Sequence, residues 1–458
     1  MEKFPDLNNY AHIHFVGIGG VSMSSLASIL AGSGKKVTGS DSNDGEKIDE
    51  LRSKGIEVHI GHNAKNAEGA QLVVYTAAVK DDNPELVYAK QNGIPMIERA
   101  VLLGMLMATY KYSVAVAGTH GKTTTTSMIS SVFMSAGLDP TVHVGGHLSM
   151  INGNYRVGAS EYAVYEACEY VNSFHHFYPN TAVILNIDAD HLDFFKNIGE
   201  IRKSFTHFMN NVDDDGHIII NGDDENCAKA LKSLKGFEPL AGKVLTFGFN
   251  KTDDCYADNI RYDHGKACFD AVFQGSPMKD ITLSVPGKHN VLNALAAVCC
   301  GVIYGLKEKE IKEGLSAFTG ADRRFQKVGN VNGADIIDDY AHHPTEITAT
   351  LRSAKAAGYD KVTVVFQPHT FTRTKLLQKE FINALKQADQ LIMTDIYSAR
   401  EINTIGANVL DIVSAIDGAR YISSKNDIAD YIKENAHENE VFILMGAGDV
   451  NKIADLLN

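Results

Sequence analysis

Short apolar runs separated by polar stretches dominate the first hundred residues. Four runs rich in β-branched residues are predicted strands: His12–Val16, Lys36–Gly39, Ile56–Ile60 and Leu72–Thr76. Helical stretches lie between them. Strands that alternate with helices predict a parallel sheet, so we expect a doubly wound α/β unit at residues 1–109.

The pattern pauses near Ala108–Lys111 and restarts with an apolar strand, Tyr112–Ala117, which marks a second unit at residues 110–320. This unit is mixed. Its predicted elements are strands at Tyr162–Ala167, Ala182–Ile187 and His217–Asn221, a β-rich stretch from Val244 to Val285, and a helix at His289–Tyr304. The change from short alternation to longer mixed elements predicts a domain boundary.

A third alternating unit, residues 321–458, follows Gly320–Arg324. Its predicted strands are Asp335–Tyr340, Lys361–Phe366, Gln390–Thr394 and Val441–Met445. The alternation predicts a second doubly wound domain, and the length of 458 residues fits three domains.

Composition narrows the class of protein. The chain is 44% hydrophobic and 22% charged, with a net charge of −13, which disfavours a broad nucleic-acid surface. No window reaches the roughly 18 apolar residues of a membrane helix, and the N-terminus has no signal core. The six cysteines show no CxxC pair, as in a reducing compartment, so we expect a cytoplasmic protein without a membrane partner.

A glycine loop follows the strand Tyr112–Ala117 and precedes a helical stretch. It reads Gly118, Thr119, His120, Gly121, Lys122, Thr123, Thr124. Glycines let the backbone surround phosphates, the helix N-terminus supplies N–H donors, and Lys122 can meet the β/γ oxygens. The strict phosphate-loop pattern requires glycine where Val116 stands, so this is a variant, and the alternative is a tight turn before a helix.

Two side chains at strand ends are candidates for Mg²⁺ ligands. Glu166 ends one strand, and His191 follows another in the loop Asp188–Asp193. Either residue alone is a weak signal, since an acidic strand end is commonly a helix cap. Together with the phosphate loop, and with the hydroxyl of Thr123, they favour a metal site beside the γ-phosphate.

A second glycine loop, Gly17–Ser22, follows the first strand. It resembles GxGxxG with Ser22 in the third position, and Ser40 and Asp41 come after the next strand. Such a loop holds a dinucleotide or another diphosphate ligand; the alternative is a plain strand–helix turn.

Two polar loops in the last unit follow strands. Asp338–Glu346 contains His342 and His343, and Phe366–Thr374 contains Arg373. We expect them to face one crevice, although helix capping alone also explains the first loop. His175 and His176 are interpreted as packing or surface residues.

These stretches together resemble the Mur ligase family, over nearly the whole chain. The motifs, in order, are Gly17–Gly20, Gly118–Thr124, Asn186–Asp193, Gly287–Asn290, Arg323–Phe325 and Asp338–Glu346. The resemblance implies an α/β protein of three domains. An N-terminal Rossmann-like domain holds a UDP-sugar, a central P-loop-type mixed α/β domain is the ATPase, and a C-terminal Rossmann-like doubly wound domain closes over both.

The resemblance also implies the reaction. The enzyme is expected to use ATP and Mg²⁺ to join L-alanine to UDP-N-acetylmuramate by an amide bond, through an acyl phosphate, in peptidoglycan biosynthesis. The substrate carboxylate first takes the γ-phosphoryl group, and the amine then displaces phosphate. No nucleic-acid partner is expected, and the chain is expected to be a monomer or homodimer.

Residue roles follow by position from the same resemblance. The ATP site comprises Gly118, Thr119, His120, Gly121, Lys122, Thr123, Thr124, His289, Asn293 and Arg324, with Arg323 the alternative to Arg324. The metal ligands are Thr123, Glu166 and His191. The UDP-sugar site comprises Gly17, Gly19, Gly20, Ser40 and Asp41. The catalytic residues are Lys122, Glu166, His191, His343 and Arg373, and the general base is a His or Asp of the closing loops.

Three features depart from the family pattern. Ser22 and Ser25 replace glycines of the first loop, and Ala167–Asn172 replaces an acidic cluster. Phe205 stands where several relatives carry a carbamylated lysine, so no carbamate is expected, and Lys203 does not take its place.

Other functions remain as alternatives. A sister ligase that attaches a recycled murein peptide to the same UDP-sugar would share the nucleotide and sugar sites. A non-catalytic nucleotide-binding regulator, or a nicotinamide dehydrogenase, would use Gly17–Ser22 but leave the residues Lys122, Glu166 and His191 without a role.

Overall fold

The computed structural model describes residues 7–76, 78–192, 194–234, 243–399 and 401–457. They form two compact units, each assembled from separate stretches of chain. The first comprises Met1–Ala117, Leu138–Val183 and Ser204–Ile218; the second comprises Gly118–Gly137, Ile184–Lys203 and Ile219–Asn458.

Strands and helices alternate through the first 110 residues, as the sequence predicts. The elements are β1 (His12–Val16), α1 (Val21–Gly32), β2 (Lys36–Asp41), α2 (Glu46–Ser53), β3 (Glu57–Ile60), β4 (Leu72–Tyr75), α3 (Pro84–Gln91), β5 (Met96–Glu98) and α4 (Arg99–Met107). The sheet order is β3-β2-β1-β4-β5, and every pairing is parallel. This is the Rossmann order without its sixth strand, and ligands of such sheets bind at the carboxyl ends of the strands.

The middle of the chain contains longer and more varied elements. They are β6 (Tyr112–Ala117), α5 (Lys122–Ser135), β7 (Thr141–Leu148), β8 (Gly153–Arg156), β9 (Tyr162–Glu166), β10 (Thr181–Ile184), α6 (Ile198–Met209), β11 (His217–Asn221), α7 (Glu225–Leu231), β12 (Val244–Gly248), β13 (Cys255–Asp263), β14 (Lys266–Phe273), β15 (Ser276–Pro286), α8 (Lys288–Ile303) and α9 (Glu308–Ala317). In the first unit, β6 and β7 flank β9 in parallel. In the second unit, β13, β14 and β15 form an antiparallel meander, which is the predicted β-rich stretch.

The last stretch is a doubly wound sheet with one antiparallel edge strand. Its elements are β16 (Gln326–Val331), β17 (Ala334–Asp339), α10 (Pro344–Ala356), β18 (Lys361–Phe366), α11 (Phe371–Leu376), α12 (Gln378–Leu385), β19 (Gln390–Met393), α13 (Leu410–Val413), β20 (Arg420–Tyr421), α14 (Lys425–Asn435) and β21 (Glu440–Met445). The order is β16-β17-β21-β18-β19-β20. Val364 and Phe366 pack in one hydrophobic cluster and Val365 in another, so helices cover both faces.

The predicted α/β class is confirmed. Strands at His12–Val16, Tyr112–Ala117, His217–Asn221 and Lys361–Phe366 have the predicted bounds. The predicted strand Ala182–Ile187 is wrong at its end, since β10 stops at Ile184. Among the described residues, no helix is long and apolar enough to span a membrane.

Helix α5, which follows the phosphate loop, packs very closely on α9. A Cβ added at Gly314 would lie 2.4 Å from the Cα of Val132. The buried face of α5 is unusually rich in hydroxyls. Three of them donate to the carbonyl one turn back: Thr126 to Lys122, Ser127 to Thr123, and Ser130 to Thr126. Small side chains that satisfy their own polar atoms therefore allow the close contact.

Candidate active site

The phosphate loop connects β6 to α5 with only four residues, Gly118–Gly121. Val116, which stands where the strict pattern has glycine, lies inside β6 and is fully buried, so this loop is shorter than the strict pattern. Gly121 is the N-cap of α5, with a φ of 85°. A Cβ at Gly118 would lie 2.9 Å from the Cβ of Leu185, so glycine is required where the loop touches its neighbour.

Lys122 folds back over the loop. Its Nζ donates to the carbonyls of Gly118, at 2.6 Å, and Thr119, at 3.0 Å. The ammonium group is thereby held over the backbone that forms the loop. This is the position from which a lysine neutralises the β/γ oxygens of a nucleotide.

Asn186 braces the same loop, a role that the sequence did not reveal. Its Oδ1 accepts the N–H of His120 at 2.8 Å, its Nδ2 donates to the carbonyl of His120 at 3.0 Å, and its own carbonyl accepts the N–H of Thr119 at 3.1 Å. These three bonds fix the shape of the loop. They also explain why β10 ends at Ile184, since the backbone beyond it bonds to the loop.

His120 lies between two carboxylates. Its Nε2 is 3.4 Å from Oδ2 of Asp188, and its Nδ1 is 3.3 Å from Oε1 of Glu346. Burial alone would lower the pKa of His120, but the two carboxylates raise it to about 9. His120 is therefore a cation at neutral pH, beside the phosphate loop.

The first polar loop of the C-terminal stretch meets this cluster. His343 is the N-cap of α10: its Nδ1 accepts the N–H of Thr345 at 3.3 Å, and its Nε2 donates to the carbonyl of Ala189 at 3.2 Å. Glu346 completes a capping box with His343. Thr345 donates its hydroxyl to Oδ2 of Asp188 at 2.8 Å. Capping and contact with the 188–190 loop thus coexist at His343.

The second polar loop reaches the same place through Arg373, whose Nη2 donates to Oδ1 of Asp190 at 2.9 Å. The rings of His342 and His369, one from each loop, are 6.0 Å apart. The two loops therefore share one crevice. Asp188, Asp190 and Glu346, which were not predicted as site residues, are its acidic members.

A cavity of about 370 Å³ opens beside the phosphate loop. Six of the residues predicted for ATP line it: His120, Gly121, Thr124, His289, Asn293 and Arg324. Arg324, rather than Arg323, faces the cavity, whereas Arg323 bonds the carbonyls of Gly446 and Gly448. The volume is in the range of small-molecule pockets.

Two of the three candidate metal ligands, Thr123 and Glu166, offer hard oxygen donors, as Mg²⁺ prefers, and His191 offers an imidazole nitrogen. Thr123 lies in the first turn of α5, and His191 adopts a left-handed φ of 52°, with its Nε2 3.9 Å from Oδ2 of Asp190. Glu166, at the end of β9 in the first unit, accepts the N–H of Gly145 at 2.6 Å. The hydroxyl and carboxylate oxygens suit the ion. A different trio, His120, Asp188 and His343, also has ligand atoms within 4.8 Å of one another.

The N-terminal glycine loop lies at the carboxyl end of β1, with Gly17, Gly19 and Gly20 between β1 and α1. Gly19 donates its N–H to Oδ2 of Asp41 at 2.9 Å. Ser40 is fully buried, and its hydroxyl donates to Glu85 at 2.5 Å, inside the domain. Asp41 and Ser40 therefore shape the loop through contacts with the fold.

Three models of one family match the chain in succession. The "Mur ligase family, catalytic domain" matches residues 12–111, the "Mur ligase middle domain" residues 116–301, and the "Mur ligase, glutamate ligase domain" residues 323–448. A protein of Agathobacter rectalis named UDP-N-acetylmuramate–L-alanine ligase is 50% identical over 457 residues, covering 98% of each chain. The chain belongs to the Mur ligase family.

Other Mur ligases agree. The protein of the same name from Acetivibrio thermocellus is 46% identical, covering 98% of this chain and 96% of its own. The UDP-N-acetylmuramate-alanine ligase of Thermotoga maritima has a similar structure, with a TM-score of 0.80 at 31% identity over 97% and 98% of the two chains. The structure of a murein peptide ligase of Psychrobacter arcticus is similar with a TM-score of 0.68 at 27% sequence identity, covering 98% of each chain. The predicted three-domain α/β fold is confirmed, whereas its boundaries stay a prediction.

The departures of this Mur ligase from the family pattern lie in the first unit. Val171 and Asn172 both adopt left-handed φ, at 49° and 57°, which strains the β-branched valine. Phe205 is fully buried and packs edge-on against Phe174. His175 stacks on Phe174 and bonds Ser204, which agrees with its interpretation as a packing residue.

Proposed function

We propose that this Mur ligase joins L-alanine to UDP-N-acetylmuramate, with ATP as the energy source. The proposal is carried by relatives of that name at 45–50% identity over nearly the whole chain. The closer structural similarity to the alanine ligase than to the murein peptide ligase favours it over the sister reaction.

The reaction begins with activation of the substrate carboxylate. A carboxylate oxygen attacks the γ-phosphorus of ATP, and the bond between that phosphorus and the oxygen bridging it to the β-phosphate breaks. ADP departs, and an acyl phosphate remains. Lys122 is a cation held over the phosphate loop, whereas the charge of His120 is paired with Asp188 and Glu346. Lys122 would neutralise charge on the phosphate oxygens, which is the main protein contribution to phosphoryl transfer.

Mg²⁺ is part of the proposal. Thr123 and His191, both in the second unit, would hold it, and the ion would neutralise charge on the phosphate oxygens. Glu166, in the first unit, stays a predicted ligand. Support comes from the chemistry of the donors. The position of Glu166 is fixed by Gly145, where a Cβ would lie 2.7 Å from its Oε1, so glycine leaves room for the carboxylate.

The second step is attack of the amine of L-alanine on the acyl carbon, with loss of phosphate and a proton. The two ring nitrogens of His343 are both engaged, so His343 is a poor acceptor for that proton. Nδ1 of His342 donates to the carbonyl of Tyr340 at 3.0 Å, so the proton of the neutral ring lies on Nδ1. Nε2 then carries a lone pair that can accept a proton. Burial lowers the pKa of His342 to about 4, so the ring is neutral at pH 7. His342 is the general base that the geometry favours.

The deciding experiment is phosphate release from purified protein with Mg²⁺-ATP and UDP-N-acetylmuramate. We expect release that depends on both the UDP-sugar and L-alanine. Release with a murein tripeptide but not with L-alanine would move the assignment to the sister ligase, and no release with any acceptor would favour a non-catalytic nucleotide-binding protein. Omission of Mg²⁺ tests the ion, and we expect activity to disappear.

We propose a cytoplasmic location as well. The six cysteines all lie in the described part of the chain and form no disulfide there, although Cys299 and Cys300 are neighbours in α8, and this supports a reducing compartment. Light scattering of the purified protein would decide whether the enzyme is a monomer or a homodimer.

A further inference from the structure

A cluster of two imidazoles and one carboxylate lies beside the phosphate loop. It consists of His120 in the loop, Asp188 after β10 and His343 at the start of α10, all within the second unit. One ligand atom of each residue lies within 4.8 Å of the other two. Two imidazole nitrogens and a carboxylate oxygen are a donor set that binds transition-metal ions.

The spacing of these atoms fits a tetrahedral ion. Nε2 of His120 is 3.4 Å from Oδ2 of Asp188, and Nδ1 of His343 is 4.0 Å from the same oxygen. A tetrahedral Zn²⁺ that lies about 2.1 Å from each ligand separates its ligands by about 3.4 Å. The first pair therefore needs no movement, and the second pair needs roughly half an ångström.

His120 has the outer partner that a metal-binding histidine needs. Its Nδ1 lies 3.3 Å from Oε1 of Glu346, so a proton on Nδ1 bonds this carboxylate while Nε2 faces Asp188. Metal-bound histidines usually donate their second N–H to a carboxylate or a carbonyl in this way. A bound ion would take the place of the Nε2 proton of His120, which would pass to solvent.

His343 is arranged in the same way with a backbone partner. Its Nε2 donates to the carbonyl of Ala189 at 3.2 Å, which leaves Nδ1 as the ligand atom. Nδ1 accepts the N–H of Thr345 at 3.3 Å, a long bond that an ion would replace. The residue is 5% exposed, so packing holds the ring in this orientation.

Asp188 is oriented through both of its oxygens. Oδ1 accepts the N–H of Ala189 at 2.7 Å, and Oδ2 accepts the hydroxyl of Thr345 at 2.8 Å. A second lone pair of Oδ2 is available to an ion. All three ligands are thus fixed by partners outside the cluster, as the ligands of natural metal sites are.

We propose that His120, Asp188 and His343 bind one transition-metal ion of the Zn²⁺ class, with water in the fourth position. This site differs from the proposed Mg²⁺ site in its ligands and in its preference, since imidazole favours Zn²⁺ and Co²⁺ over Mg²⁺. The ion would join the phosphate loop, the 188–190 loop and the N-terminus of α10. The inference goes beyond the proposed function and does not depend on it, because the ion needs no substrate.

The test uses Co²⁺, whose visible absorption reports the geometry of its ligands. The full chain, without nucleotide, is titrated with Co²⁺ in the presence of excess Mg²⁺, which occupies sites built from oxygen donors. We expect one equivalent of Co²⁺ to bind with the intense absorption of a tetrahedral complex. Zn²⁺ should displace it and should raise the melting temperature of the protein.

Variants of the ligands locate the ion. Asp188→Asn and His343→Ser should each abolish the tetrahedral absorption and weaken Co²⁺ binding by more than about 100-fold, and serine at position 343 retains a helix cap. Glu346→Gln changes only the outer partner of His120 and should weaken binding about 10-fold. His264→Gln is the matched control, because His264 lies 2.7 Å from a carboxylate on the exposed surface, and it should bind Co²⁺ as the wild type does.

A new ligand gives a further test. Asp188→Cys should add the charge-transfer absorption of a Co²⁺–thiolate bond, which a purely structural role of Asp188 would not produce. Should Asp188→Asn or His343→Ser not fold, the other variant and Asp188→Cys give the same decision.

Two results would overturn the inference. The first is a wild-type protein that binds neither Co²⁺ nor Zn²⁺ under these conditions. The second is Co²⁺ binding by folded Asp188→Asn and His343→Ser that equals that of the wild type, since the ion would then lie elsewhere. Neither result changes the assignment of the ligase reaction, which phosphate release tests separately.

Discussion

Arg373 donates two hydrogen bonds to one oxygen of Asp190, from Nη2 at 2.9 Å and from Nε at 3.2 Å. The two side chains are 11% and 8% exposed. Burial alone would raise the pKa of Asp190, but the charge of Arg373 lowers it well below its usual range. The arginine predicted to anchor substrate is therefore bound to the loop that precedes His191.

Removal of Arg373 should be costly because Asp190 would stay buried without its partner. We expect Arg373→Met to lower the free energy of unfolding at pH 7 by about 3–5 kcal/mol, and Asp190→Asn, whose amide oxygen can still accept a hydrogen bond from Arg373, by less. Urea unfolding measures both. Because the pKa of Asp190 is lowered on folding, the ion pair stabilises above pH ~4 and its contribution disappears as the pH falls further. Equal stability of Arg373→Met and wild type would contradict the pairing.

His120 predicts an opposite pH dependence. Its pKa is raised to about 9 from an ordinary 6.5, so its stabilising contribution is complete below pH 6.5 and is lost as the pH rises through 9. Across that window, the loss of this contribution to the free energy of unfolding is at most about 1.4 kcal/mol per pH unit. Urea unfolding of wild type and His120→Gln at pH 6, 7.5 and 9 should show their difference shrinking. His264→Gln, at an 85% exposed side chain, is the control for the substitution itself.

Two glycines that flank α5 provide a matched pair of positions for substitution by alanine. Gly121 before the helix and Gly137 after it have φ values of 85° and 74°, so alanine strains both by roughly 1–2 kcal/mol. Only at Gly121 does a Cβ meet a neighbour, at 2.9 Å from Oδ1 of Asn293, whereas at Gly137 nothing lies within 4 Å. We expect Gly121→Ala to weaken ATP binding and Gly137→Ala to leave it unchanged. Calorimetry measures the ATP affinity of both variants. Equal affinities would mean that the side chain of Asn293 moves away from the added methyl group.

Lys122 is predicted to be needed for chemistry and not for folding. Lys122→Ala should reduce turnover by at least about 10²-fold, as loss of a positioned charge in a transition state does. The circular dichroism spectrum and melting temperature should stay those of the wild type. Lys309→Ala, at an 82% exposed lysine on α9, is the control. Normal turnover in a folded Lys122→Ala protein would overturn the assignment of the phosphate loop.

His342 should act after the acyl phosphate has formed. His342→Gln is expected to slow amide formation by about 10²–10⁴-fold, the usual contribution of a general base. Trapping with hydroxylamine measures the earlier step, and the yield of hydroxamate should stay near that of the wild type. Loss of both steps together would place His342 in ATP binding or closure instead.

The sequence predicted the fold well because parallel strands buried on both faces are largely continuous apolar runs, as in β4 and in Val441–Met445 of β21. The end of β10 was missed because Asn186 bonds the phosphate loop, a contact between residues 66 positions apart. The cavity-lining residues His120, Gly121 and His289 were predicted by motif, and their role in ATP binding stays a prediction. Glu346 was missed as a site residue, because a capping residue has no local pattern that reveals its partners.

Helix α5 limits how this part of the protein can change in evolution. The hydroxyls of Ser127 and Ser130 bond carbonyls of the helix itself, so exchange among serine, threonine, alanine and glycine at these two positions leaves no polar group stranded. A leucine there would force α5 away from its neighbours and move the phosphate loop with it. The sequence of this helix should therefore vary in polarity but scarcely in volume.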